Sequence, residues 1–228
     1  MKIKTYETPG DIPPVVPVFP LTAALLLPRG QMPLNIFEPR YLAMIDAALA
    51  SDRVIGMVQP KTAISEGDED ESPQEKTPLC AVGCLGRMTA FQETPDGRYL
   101  ITLSGICRFR VNAEMDVITP YRQCRIDVDE FAGDLVPNAG ADTVDRDRLL
   151  TTFRAYLDAN AMEADWSSVE QASNEALVNA LSMMSPYGPR EKQALLEASD
   201  LKARADILVA ITEMALKLGD GPSTEKLQ

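Results

Sequence analysis

The chain has 228 residues, 45% of them hydrophobic, which is enough to bury a substantial core in one or two domains. Its formal net charge of −12 makes it a poor partner for phosphate backbones, and it has no His, which removes Ser-His-Asp and Cys-His nucleophile systems and the commonest transition-metal ligand. The longest apolar run, around Ala23 to Leu27, falls far short of a membrane span, and the amino terminus lacks a basic stretch followed by an apolar segment and cleavage site. No membrane partner and a cytoplasmic location are therefore expected.

In chain order, Val15 to Phe19 has the apolar density of a strand, and Leu25 to Leu27 adds more of it before Pro28, Arg29 and Gly30 break the run. The stretch PLNIFEPRY, Pro33 to Tyr41, then leads into an amphipathic helix from about Tyr41 to Leu49. Pro39 suits its first turn, Phe37 and Tyr41 are placed to pack inward, and Glu38 and Arg40 to pair or to bond the backbone. Val54 to Val58 reads as the next strand. Ser65 to Glu75 follows, with six acids and no base, and is expected to be a disordered, solvated loop.

Strand patterns return at Cys80 to Phe91, Tyr99 to Val111 and Tyr121 to Asp129, and Asp96-Gly97 between the first two is a strong hairpin signal. That spacing predicts a small antiparallel β-barrel over residues 1–131, and Gly, Pro and Asn mark a connector over 132–143. Helical periodicity takes over at 144–218. One helix from about Val144 to Asn160 has Leu149, Leu150, Phe153, Tyr156 and Leu157 on one face. A second begins at Ser168 with Gln171 closing a capping box, a third has Pro189 in its first turn, and a fourth starts at Ser199 or Asp200. In that last helix Leu201, Ala205, Leu208, Ile211 and Ala215 form the seam, while Lys202, Arg204, Glu213 and Lys217 face water. Gly219 stops it ahead of a frayed tail over 219–228. The fold class is thus α+β, a barrel followed by a four-helix bundle.

The order FPL (19–21), PRG (28–30), PLNIFEPRY (33–41) resembles the amino-terminal substrate-recognition domain of the Lon ATP-dependent proteases, a domain also found alone and in cereblon-like proteins. Gly83 to Arg87, DGRYLITLSGICRFRV (96–111), Pro120 to Arg122 and KQALLEASDLKARADILVAI (192–211) extend the resemblance over about Val15 to Leu218. It implies a PUA-like pseudobarrel with a closing helical segment, and a stand-alone polypeptide-binding module without ATPase or protease domains. The expected partners are unfolded or exposed apolar polypeptide segments and a protease machine. Since the family barrel is similar to RNA-binding pseudobarrels, a small-ligand or RNA-binding protein is the alternative, and acidic charge weighs against its RNA form.

No GxxxxGK[ST] phosphate cradle occurs. Asp220 to Ser223, DGPS, resembles the tetrapeptide around the Lon nucleophile, but a Ser nucleophile needs a held base and oxyanion donors, and nothing fixes Lys226 near Ser223. Cys80 and Cys84 share a predicted strand in which four residues span roughly 13 Å, too far for sulfurs that must lie within about 4 Å of each other on one zinc. They, with Cys107 and Cys124, are expected to be buried apolar residues, with no metal or cofactor. No catalytic residues are assigned and the chain is read as a non-enzyme. Candidate binding residues are Met32, Pro33, Phe37, Glu38, Arg40, Tyr41, Met57 and Met88, with Met chosen for its adaptable side chain.

Overall fold

The computed structural model of the protein describes residues 5–61 and 77–219. The acidic run at 65–75 and the DGPS segment at 220–223 lie outside the described residues. Among the described residues there are six strands, β1 (Val15–Pro20), β2 (Gln31–Ile36), β3 (Val54–Pro60), β4 (Leu79–Glu93), β5 (Tyr99–Glu114) and β6 (Arg122–Asp127). Their order is β2-β5-β4-β3-β1-β6, and β5 also pairs with β6, so five strands close into a barrel and β2 lies outside it. The closure is uneven. β5 pairs with β2 through Tyr99 to Ser104 and with β6 through Arg110 to Glu114. Every pairing is antiparallel except β1–β3, which is parallel because the chain crosses over through β2 and a helix before returning.

Register shifts bend the long strands. Between Cys84↔Arg108 and Gly86↔Gly105, β5 carries one residue more than β4. The extra residue reverses which face its side chains take: Ile101 and Leu103 join the core beneath the helices, whereas Cys107 and Phe109 fill the barrel. Phe109 is fully buried, and its ring occupies the space that a Cβ on Gly56 or Gly83 would need, at 2.9 and 2.5 Å. The Asp96-Gly97 signal marks the β4–β5 hairpin, where Gly97 N donates to Thr94 O (2.9 Å) and Gly97 has φ +79°.

The Leu25–Leu27 run is no strand. It belongs to a buried loop whose flanking backbone groups are bonded from outside: Ala23 N donates to Gln59 Oε1 (2.9 Å), Arg29 N to Gly105 O (2.8 Å), and Asn179 Nδ2 to Pro28 O (3.1 Å). Strand-like density here reflects burial alone. The strand is instead β2, in a stretch read as a lead-in to the helix. With exposed and half-buried residues alternating, and Pro33 in mid-strand, β2 suits only an edge position.

Six α-helices accompany the sheet among the described residues, α1 (Pro39–Leu49), α2 (Arg146–Ala159), α3 (Trp166–Gln171), α4 (Asn174–Met184), α5 (Pro189–Glu197) and α6 (Leu201–Gly219). α1 buries Tyr41, Met44, Ile45 and Ala48, with the Tyr41 and Phe19 rings 4.3 Å apart. The other five replace the four expected. Ser168 does not begin a helix but lies inside α3, whose cap is Asp165, and α4 starts at its own cap Ser173. Arg146 holds the break between them by donating to Val169 O (2.7 Å) and Ala172 O (3.0 Å). Asp200 caps α6 through Ala203 N (2.8 Å).

Arg204, expected to face water, is 3% exposed. It donates to Leu195 O (2.9 Å) and Asn179 Oδ1 (3.0 Å), and burial with the nearby Arg108 lowers its pKa to about 10. The segment read as a connector packs on the barrel just past the buried Phe131: Asp134 accepts from Arg108 Nε (2.8 Å), Nη2 (2.9 Å) and backbone N (3.0 Å). One apolar cluster runs from Phe19 and the Leu25–Leu27 loop to Leu195 and Leu208, so helices and barrel share a core.

All four cysteines are free and buried. Burial pushes the Cys107 thiol up to about 12 and Cys124 to about 11, and holds Cys84 well above its ordinary value. Ellman's reagent at pH 8 is expected to react slowly with the native protein and rapidly with all four thiols after unfolding. Because the folded pKa values are raised, the stability linked to these thiols holds below their ordinary value of 9.0 and is lost as pH climbs through 11 to 12, so alkaline unfolding checks the same point.

Candidate functional site

A cleft of about 560 Å³ opens between the β1–β2 loop, the start of β2, and α4 with the start of α5. Its lining is mostly apolar, with Leu25, Pro28, Met32, Pro33, Pro137, Ala176, Ala180, Met183 and Met184. Local chemistry sets each wall. The α4 wall carries small Ala176 and Ala180 beside Met183, which packs over Gly30, and Met184, which is 81% exposed. The opposite wall is the edge of β2, whose outer side has no strand neighbour among the described residues.

Arg29 forms the floor at one end. It sits in the left-handed region at φ +63°, a conformation costly for a side chain of this kind, and is held there by its surroundings. Its Nε donates to Glu175 Oε2 (3.0 Å), its Nη2 to Glu175 Oε1, and its Nη1 to Asp134 O (2.7 Å). Glu175 also accepts from Asn138 N (2.8 Å), so both of its carboxylate oxygens are bonded within the fold. Lys192 lines the cleft from α5, and burial lowers the pKa of its ammonium. Asn179 joins floor to helix through Pro28 O and accepts from Arg204.

Of the residues singled out from sequence, Met32 and Pro33 line this cleft. Met57 and Met88 are each 3% exposed and belong to the core, Met57 in a strand covered on both faces and Met88 on the inward face of β4 beside exposed Thr89. Phe37 is 62% exposed near the Arg98 guanidinium, 5.8 Å from its ring centre, rather than packed inward. Glu38 and Arg40 pair at 2.8 Å on the surface. Tyr41 is buried, and with Arg40 borders a separate depression of about 450 Å³ beside Tyr121 and Arg122. Sequence reading missed Glu175, Asn179, Met183, Met184 and Lys192. They are spread over two helices and meet β2 only through the tertiary fold. Arg29 was visible, but as a chain breaker.

Among the described residues no group of three or more Cys, Asp or Glu is placed to hold a metal ion, and no helix is long and apolar enough to cross a membrane.

Residues 15–213 match the model of the ATP-dependent protease La (LON) substrate-binding domain. Lon protease 2 of Myxococcus xanthus is 29% identical over 205 residues, covering 88% of this chain and 24% of that protein. Lon protease of Dictyoglomus thermophilum is 25% identical over 216 residues, with 90% and 25% covered. The chain thus spans about a quarter of the length of these relatives. In fold it is similar to the crystal structure of a Lon N-terminal domain protein from Xanthomonas campestris (TM-score 0.59, 20% identity, 86% of this chain and 97% of that one). It is likewise similar to the N-terminal domain of Mycobacterium avium complex Lon protease (TM-score 0.57, 18% identity, 87% and 98%).

Proposed function

Because the chain belongs to the LON substrate-binding domain family, we propose that it binds unfolded or exposed apolar polypeptide segments in the cleft between β2 and α4. It does so as a non-catalytic recognition module that delivers them to an ATP-driven protease. The supporting observation is the cleft itself: an open, preformed, mostly apolar space rimmed by methionines from both walls. Unbranched thioether side chains repack around differing partners, which suits recognition of many sequences rather than one. The bordering edge of β2 adds backbone groups beside which an extended chain fits. No His is available for base catalysis, which accords with binding as the chain's task.

The experiment is fluorescence anisotropy with a labelled, carboxymethylated, permanently unfolded protein. Met184→Asp places a charge on an exposed rim position, where it costs the fold little. Binding is expected to weaken about tenfold or more, since a desolvated carboxylate opposes an apolar ligand. Unchanged binding with an unchanged melting temperature overturns the cleft as the site.

A further inference from the structure

The charges within the cleft do not cancel. Glu175, 11% exposed in its side chain, is neutralised by Arg29 and also accepts from Asn138 N. Lys192 has no such partner: among the described residues no carboxylate lies within ion-pair distance of its Nζ, and desolvation is the sole cause of its lowered pKa. A mostly apolar space therefore presents one uncompensated, partly dehydrated cation. Such a group gains most from an anion brought into the same dry setting, because a charge-assisted hydrogen bond there is stronger than one in water.

We propose that the cleft selects polypeptide segments in which an Asp or Glu side chain adjoins apolar residues, with Lys192 receiving the carboxylate. The proposal rests on the reading of the cleft as the polypeptide site and names the class of segment it takes. The unpaired edge of β2 beside the cleft favours an internal acidic side chain over a chain terminus, since it suits a segment of extended chain. Long-range charge sharpens the choice. With a net charge of −12 the protein repels strongly acidic chains, so a single carboxylate in a neutral or basic apolar context is what the surface admits and Lys192 then holds.

The test uses short labelled peptides with amidated ends, identical in their apolar residues and differing only by Asp against Asn. The wild-type protein is expected to bind the Asp peptide about tenfold tighter. Lys192→Met, which keeps the apolar stem, is expected to erase that preference, so that the Asp and Asn peptides bind with equal affinity. Lys192→Glu is expected to shift preference to a Lys-bearing peptide. Equal affinities for Asp and Asn peptides on the wild type, or a preference that survives Lys192→Met, overturn the proposal. So does a gain that appears only with a free carboxyl terminus, or failure to bind either peptide. These failures are distinct from failure of the broader reading, which shows as insensitivity of unfolded-protein binding to Met184→Asp.

Discussion

Replacing Asp134 with alanine is expected to destabilise the protein by about 3–5 kcal/mol, the usual result of leaving a buried ionic partner unpaired. Arg108 is 4% exposed in its side chain, and Asp134 receives three of its hydrogen bonds, counting the backbone N–H. The remaining guanidinium contacts go to the carbonyls of Leu196 and Ala198, with the Phe131 ring 4.6 Å away. Neutral carbonyls and a ring cannot replace the carboxylate, and Arg204 nearby adds a second buried positive charge. Urea unfolding of Asp134→Ala, Arg108→Met and the double variant separates the terms. The double variant is expected to lose much less than the sum of the two, since removing both charges eliminates the uncompensated one. It does not return to wild type, because the two carbonyls lose their donor.

Gly105→Ala is expected to cost about 3 kcal/mol and to abolish polypeptide binding together with it. A Cβ on Gly105 would lie 2.0 Å from Leu27 O and 2.7 Å from Leu27 C, both backbone atoms of a loop that cannot rotate aside. The same residue fastens that loop, accepting from Arg29 N (2.8 Å) and donating to Gly30 O (2.8 Å). Pushing Leu27 away thus withdraws Arg29 from Glu175 and moves the wall formed by Pro28 and Gly30. Thermal unfolding reads the first effect. Anisotropy below the lowered melting temperature reads the second, and retention of both stability and binding would contradict the close approach of loop and strand.

Much of the architecture was legible because it is written in local pattern. Asp96-Gly97 marks its hairpin, Pro39 and Pro189 mark helix starts, and the period-three-and-four residues of α2 and α6 mark their buried faces. Failures came where burial and secondary structure part company. Leu25 to Leu27 are as apolar as any strand, yet the loop that carries them is tied down on either side of the run, at Ala23 by Gln59, at Arg29 by Gly105 and at Pro28 by Asn179, partners that no local window contains. β2 was hidden for the converse reason, an edge strand being only half buried and free to contain proline. Arg204 was placed in water because charge at a single position looks exposed, and its acceptors come from α4 and the end of α5. The cleft was half legible. The family resemblance pointed to polypeptide, and Met32 and Pro33 were in view, but α4 and α5 reach them only across the finished fold.

The parallel β1–β3 pairing and the β1–β6 closure also govern the order in which the chain matures on the ribosome. β4 and β5 are neighbours in sequence and can zip together as soon as both have emerged. β1 is made first but finishes last: Val15 to Val18 cannot engage their partners Arg122 to Arg125 until nearly the whole sheet has been synthesised. Val16 and Val18, buried in the final barrel, are held by one neighbour at most throughout that interval. Until β6 has been made, the nascent sheet therefore carries an open apolar edge at β1, which makes that strand the natural place for a chaperone to act and for premature association between copies to begin.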